Sequence, residues 1–254
     1  MVGGGSSGLG LAVATQLAAN GCDLLLWARN GPTLEESAAE LRGAYPDSTV
    51  HTYEADAELP DAAAAVAEAA ERLLGGVDIL VLNAGGPPAV KPDATDSDAW
   101  RRALQLLTIT PIELATRLLP AMRRAEWGRV IAVLSSGVRE PLPELPYSNG
   151  GRAALAAWLK NVAGTVAADG VTVNGVLPGR IDTARVSFLD ERRASAEGIA
   201  VESVRQASWE TIPMGRYGRP EEFGSVVGFL ASDAASYVTG TFVSCDGGLA
   251  TGRW

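Results

Sequence analysis

The sequence predicts an α/β fold, a single domain in which a doubly wound parallel sheet lies between two layers of helices. Three observations lead there. Short apolar runs alternate with longer helical stretches along the chain. Most of those runs are continuously apolar, as strands covered on both faces require. No linker and no internal repeat divides the 254 residues, a length that one such sheet can fill.

In chain order, a glycine-rich turn comes first, followed by an expected helix at Leu9–Asn20. The expected strands are then Leu24–Trp27, Val50–Glu54, Ile79–Asn83, Val130–Leu134, Thr172–Leu177 and Thr241–Ser244. Further helices are expected at Leu34–Arg42, Ala62–Leu73, Asp98–Arg124, Arg152–Ala168 and Glu221–Ala231. The run Ala62–Ala70 is almost wholly alanine and glutamate, and strong helix propensity accounts for it. Repeated strand–helix–strand units imply right-handed crossovers and hence parallel strands. The segment 184–213 carries no strand signal and mixes apolar with charged residues, so it reads as a helical excursion.

Composition narrows the function. Apolar residues make up 47% and charged residues 20%, enough to bury a large core. A formal net charge of −9 argues against a nucleic-acid partner, which calls for a basic face. The two cysteines, Cys22 and Cys245, are far apart and form no CxxC, so they read as small buried side chains. The single histidine, His51, rules out a multi-histidine metal site, and no metal is expected. No apolar run approaches a bilayer-spanning length, and no basic-then-apolar leader opens the chain. A cytoplasmic protein with no membrane partner is expected.

The turn reads Gly3-Gly4-Gly5-Ser6-Ser7-Gly8-Leu9-Gly10, and Gly4, Gly8 and Gly10 give GxxxGxG. Glycines serve a tight turn, close approach of backbone to phosphate, and close packing of helix on sheet. The positive helix end and its free N–H groups then face an anion such as a dinucleotide pyrophosphate. A strand of several residues should precede such a turn. Only Met1, Val2 and Gly3 do so here, and an upstream natural start is the expectation this raises.

With these motifs in their order, the chain resembles the short-chain dehydrogenases/reductases of the single-domain type over nearly its whole length. The resemblance implies a Rossmann-type, three-layer α/β/α domain spanning residues 1–254, with the helical excursion at about 184–213 as a substrate lid. Asp56 resembles the acid that bonds the adenine amine. Asn83-Ala84-Gly85 resembles the family's NNAG turn, with Leu82 in place of its first asparagine. Asn174 and the run Pro178-Gly179-Arg180-Ile181-Asp182-Thr183 resemble the segment that holds the nicotinamide carboxamide. Gly215 through Glu222, and Tyr237 through Gly248, resemble the C-terminal signatures. Cofactor contacts are therefore expected at Gly4, Ser6, Ser7, Gly8, Leu9, Gly10, Arg29, Asp56, Asn83, Ala84, Gly85, Pro178, Gly179, Ile181 and Thr183. An acid at the end of the second strand would select NAD; Ala28-Arg29 stands there instead. Arginine pairs a 2′-phosphate well, so NADP(H) is favoured over NAD(H).

The family's Asn-Ser-Tyr-Lys tetrad is not intact. Ser136 fits the serine. The asparagine position, counted back from Leu119-Pro120, holds Leu107. The Ala-Ala-Leu run at 153–155 places Arg152 on the lysine, and four residues before it stands Ser148, with Tyr147 one residue further. In a regular helix, positions four apart differ by about 40° and positions five apart by about 140°. Ser148 then shares the Arg152 face. The pair Gly150-Gly151 leaves open a bulge that would return the Tyr147 phenol to it. The candidate catalytic residues are Ser136, Tyr147, Arg152 and Ser148. Serine is a poor general acid, since its pKa lies far above the phenol value of about 10.

The resemblance implies an NADP(H)-dependent oxidoreductase acting on a ketone or secondary alcohol, similar to a 3-oxoacyl reductase, assembled as a homotetramer or homodimer. The alternative is a non-redox protein on the same fold, either a dinucleotide-binding scaffold or regulator or a dehydratase or isomerase. Fold alone does not decide between them.

Overall fold

In a computed structural model of the chain, which describes residues 1–250, the apolar runs line up as one seven-stranded sheet. Its strands are β1 (Val2–Gly3), β2 (Leu24–Ala28), β3 (Val50–Glu54), β4 (Ile79–Leu82), β5 (Gly128–Val133), β6 (Val171–Pro178) and β7 (Phe242–Cys245). Their spatial order is β3-β2-β1-β4-β5-β6-β7, and every pairing is parallel. Among the described residues this is the Rossmann-type sheet the sequence predicts. The order reverses between β1 and β4, and the crevice beyond the strand ends at such a reversal is where ligands bind in open α/β sheets.

Both faces of the sheet are covered, which explains why its strands read as continuous apolar runs. Leu25, Trp27, Leu80, Leu82, Val130 and Ala132 enter one core. Their neighbours Leu24, Leu26, Val81, Ile131 and Val133 enter the other. Helices α3 (Ala62–Leu74), α5 (Thr110–Arg124) and α6 (Pro146–Val166) build the first layer. Helices α1 (Gly8–Ala19), α2 (Gly31–Ala44) and α9 (Pro220–Ala231) build the second.

The strand β1 is as short as its two residues suggest, yet it is central. Val2 pairs with both Leu26 and Val81. Met1 is buried beside it; its amine donates to the Ile79 carbonyl at 2.7 Å, and its carbonyl accepts from Val81 N–H at 2.9 Å.

Two helices depart furthest from their expected bounds. The stretch Asp98–Arg124 is not one helix but α4 (Ser97–Leu104), a π-helical turn over Gln105–Ile109, and α5. Pro111 supplies the reason. It has no N–H to give to Leu107, and the wider turn absorbs the lost bond. Helix α6 begins at Pro146, ahead of the expected Arg152. Proline suits a first helical turn, and Gly150-Gly151 is carried inside the helix. Gly151 is there for closeness: a Cβ on it would lie 3.0 Å from Leu107 Cβ.

The excursion after β6 folds as α7 (Ala184–Glu197) and α8 (Val201–Thr211), packed on each other. His51 lies half-buried in β3, and both cysteines are free and half-buried.

Candidate active site

The glycine turn joins β1 to α1 at the sheet's reversal. Gly4 and Gly8 adopt left-handed φ of 58° and 53°. A side chain on Gly10 would collide with the Gly4 carbonyl, so the turn closes only because residue 10 has none. Ser7 begins α1 in an extended conformation and makes no side-chain cap. By contrast, Asn30 and Asp96 cap α2 and α4. The first-turn N–H groups of α1 are thus left for an anion, which fits the phosphates of a dinucleotide.

Two other loops meet this turn, those that follow β4 and β6. Asn83 follows β4, and its side-chain amide donates to the Gly3 carbonyl at 3.0 Å. Thr183 lies against Gly8, where an added Cβ would be 3.8 Å from its Cβ. Pro178 ends β6, the Gly179 N–H bonds the Cys245 carbonyl at 3.0 Å, and Ile181 is buried. Ser6 accepts on its carbonyl from the Ser37 hydroxyl at 3.0 Å. Beyond β2, Arg29 extends into solvent with 70% of its side chain exposed, near Glu58 at 3.9 Å. Asp56 accepts from Glu58 N–H at 3.0 Å, which fixes the loop after β3.

The chemistry-bearing side chains stand on α6 and just after β5. Helix α6 is unbroken from Pro146 to Val166, so the bulge that would turn Tyr147 onto the Arg152 face does not form. Ser148 and Arg152 share a face instead. The Arg152 Nε donates a long hydrogen bond, 3.4 Å, to Ser148 Oγ. Its other nitrogens donate to the Val133 carbonyl at the end of β5 and to the Ala84 carbonyl at 3.3 Å. Both side chains are nearly enclosed, with Ser148 7% and Arg152 8% exposed. Burial first, and the charge of Arg185 second, lower the Arg152 pKa to about 10, so it remains a cation at neutral pH. Ser136 follows β5 half-buried, and its hydroxyl makes no hydrogen bond among the described residues. Its neighbour Ser135 is occupied, accepting from Gly137 N–H at 3.0 Å.

A family model described as enoyl-(acyl carrier protein) reductase matches residues 4–250. Nodulation protein G of Azospirillum brasilense is 33% identical over 252 residues, which cover 98% of this chain and 96% of that protein. The chain belongs to the short-chain dehydrogenase/reductase family. It is an oxidoreductase of that family. The L-sorbose reductase of Gluconobacter frateurii, solved with NADPH and L-sorbose, superposes with a TM-score of 0.93 at 30% identity, covering 99% of this chain and 96% of that one. An NADPH-bound short-chain oxidoreductase from Pseudomonas aeruginosa PAO1, described as containing an atypical catalytic center, gives 0.88 at 30% identity over 99% and 96% of the two chains.

The phenol stands apart from the Ser148–Arg152 pair. Tyr147 is 2% exposed, its ring packs edge-on against Trp100, and its oxygen accepts from Asp96 N–H at 2.9 Å. The asparagine position, Leu107, is buried in the π-helical turn, and the adjoining Thr108 hydroxyl donates to the Gly151 carbonyl at 2.8 Å. Asn174, wholly buried, ties β6 to the approach of β7 by bonding Val238 and Thr241. Sequence reasoning overlooked Arg185 and Arg192 on α7, which reach the loop after β4. Their seven-residue spacing, two helical turns, was the available signal.

Proposed function

We propose that this protein catalyses NADP(H)-dependent interconversion of a small-molecule ketone and a secondary alcohol, in the manner of a 3-oxoacyl reductase. The pairing of Ser148 with Arg152 carries the reading. When bound, the nicotinamide supplies or accepts the hydride. Ser148 accepts a hydrogen bond from a fixed guanidinium, which strengthens the hydroxyl as a donor toward a substrate oxygen. Ser136, free to donate, bonds the same oxygen. Arg152 keeps its charge throughout and stabilises negative charge developing there. Ser148 orients the oxygen, and the proton that converts the alkoxide to the alcohol comes from solvent, relayed across that hydroxyl as it takes up another, since serine alone is too weak an acid to supply it. The uncapped start of α1 holds the pyrophosphate, with Ser6, Ser7, Gly8, Leu9 and Gly10 around it. Asp56, Asn83, Ala84, Gly85, Pro178, Gly179, Ile181 and Thr183 line the rest of the cofactor's path. Arg29, long and exposed beyond β2, suits a 2′-phosphate, and the two solved relatives described above are NADPH complexes.

The absence of a phenol on the Arg152 face supports one competing reading, a non-redox protein that binds the dinucleotide. The discriminating experiment follows NADPH oxidation spectroscopically against a panel of ketones, with NADPH binding measured in parallel. Turnover of a ketone that disappears in Ser136→Ala supports the reductase. Tight binding without hydride transfer to any ketone supports the alternative. We further propose a homotetramer or homodimer assembled through α5 and α6, and a cytoplasmic location in keeping with the acidic composition.

A further inference from the structure

Three guanidinium groups stand in a row along the loop that follows β4. Arg152 donates to the Ala84 carbonyl at 3.3 Å, Arg185 to the Pro87 carbonyl at 2.9 Å, and Arg192 to the Ala89 carbonyl at 3.2 Å. The latter two lie seven residues apart on α7, so they project from one face. Backbone carbonyls satisfy their donors without cancelling their charge. Among the described residues none of the three has a carboxylate within ion-pair distance, although ten other ion pairs occur.

Glu191, next to Arg192 on the chain, makes no ion pair among the described residues, and three other nearby acids are committed elsewhere. Asp190 pairs with Arg180 at 2.6 Å, Glu197 with Arg193 at 2.7 Å, and Asp182 with Arg205 at 3.1 Å. A chain of net charge −9 thus leaves three neighbouring cations unbalanced. The cost is visible in the pKa values of Arg152 and Arg185. Burial and Arg185 lower Arg152, and burial and Arg192 lower Arg185. An anion between them would relieve both desolvation and mutual repulsion.

We propose that Arg185 and Arg192 bind the carboxylate of an oxo-acid substrate whose carbonyl lies toward Arg152, and so set the substrate class of the reductase. This rests on the reductase reading given above. The row leads away from the cofactor's phosphates. Arg185 is two residues past Thr183, which touches the glycine turn, but Arg192 lies about 10 Å further along the helix axis. An arginine fork matches a carboxylate in two parallel bonds, and the charge at Arg152 places the carbonyl end of the substrate beside Ser136 and Ser148.

The test uses the full-length protein saturated with NADPH. Pyruvate, acetoacetate and levulinate are each compared with their methyl esters, both for binding, read from the fluorescence of bound NADPH and from thermal stabilisation, and for turnover. At least one acid is expected to bind about tenfold or more tightly than its ester. That preference should vanish in Arg185→Gln/Arg192→Gln and be largely retained in Arg185→Lys/Arg192→Lys, with NADPH affinity unchanged in both. No acid preference in any pair, or a preference that survives the glutamine substitutions, overturns the proposal. So does weakened NADPH binding with the preference intact, which would assign the arginines to the cofactor. Acid-selective binding without hydride transfer would overturn the reductase reading while leaving the carboxylate site standing.

Discussion

The Tyr147 phenol oxygen accepts the backbone N–H of Asp96 at 2.9 Å. Asp96 in turn caps α4 through its carboxylate, which accepts from Ala99 N–H at 2.8 Å. Tyr147 therefore braces the start of a neighbouring helix, and its ring is sealed against Trp100 at a centroid distance of 5.0 Å.

Replacing Tyr147 with phenylalanine should consequently act on stability and spare turnover. The ring and its packing remain, and one hydrogen bond to a backbone donor is lost, at a cost of about 1–2 kcal/mol. Urea unfolding of Tyr147→Phe measures that loss. Its kcat should stay within about twofold of the parent, whereas a general acid's removal typically costs 10²-fold or more. A large fall in kcat at unchanged stability would restore the phenol to the chemistry.

Ser148 and Arg152 should behave in the opposite way. Ser148→Ala removes a small hydroxyl, and a loss in kcat of about 10²-fold is expected if that hydroxyl bonds the reacting oxygen. NADPH affinity, read by fluorescence titration, should not change. With an Arg152 pKa of about 10, the cation persists across the neutral range and is lost as pH rises through that value, so activity that depends on it should decline only there. The double substitution Ser148→Tyr/Arg152→Lys puts a phenol four residues before an ammonium on one helical face. It should raise kcat above that of the parent.

The fold was legible because its signals are local and repeated. Val50–Glu54 matched to the residue, and every other strand to within two, since an apolar run covered on both faces is continuous and bounded by polar turns. The glycine turn was legible for a similar reason, because glycine at residues 4, 8 and 10 answers a local geometric demand. The catalytic end was less so. Gly150-Gly151 reads as an adaptable turn in sequence, yet lies inside α6, where Leu107 and Trp100 press so closely on these two residues that a Cβ would crowd them. That constraint comes from α4 and the π-helical turn, some forty residues away, and no local pattern conveys it. The arginine row was hidden likewise, because α7 meets the loop after β4 only in three dimensions.

Gly10→Ala should weaken cofactor binding sharply, with a modest effect elsewhere. The new methyl would strike the Gly4 carbonyl and lie 2.8 Å from the Asn83 amide nitrogen, so the turn must open and shift the N–H groups that face the phosphates. A displacement of about 1 Å in such a positioning element costs on the order of 10²-fold. Fluorescence titration should register that loss for NADPH. Unfolding by urea should remain a single cooperative transition. Unchanged NADPH affinity would mean that the phosphates are not held at this turn.

Glu222 offers a pH-dependent test of the C-terminal signature. Its carboxylate accepts from the Arg216 guanidinium at 2.7 and 2.8 Å and from Arg219 N–H at 2.7 Å, closing the start of α9. The bonds from Arg216, and then that from the Arg219 backbone, hold its pKa down to about 2 from an ordinary value of 4.5. The folded state therefore binds the proton less readily than the unfolded chain. Its contribution is fully present above pH 4.5 and is lost as pH falls toward about 2. Glu222→Gln should leave α9 capped less well at neutral pH and flatten the acid limb between those values, while changing nothing in the limb above it. Thermal melts of both proteins at pH steps across that window measure the difference. Parallel acid limbs in the two proteins would show that Glu222 does not supply this part of the pH dependence.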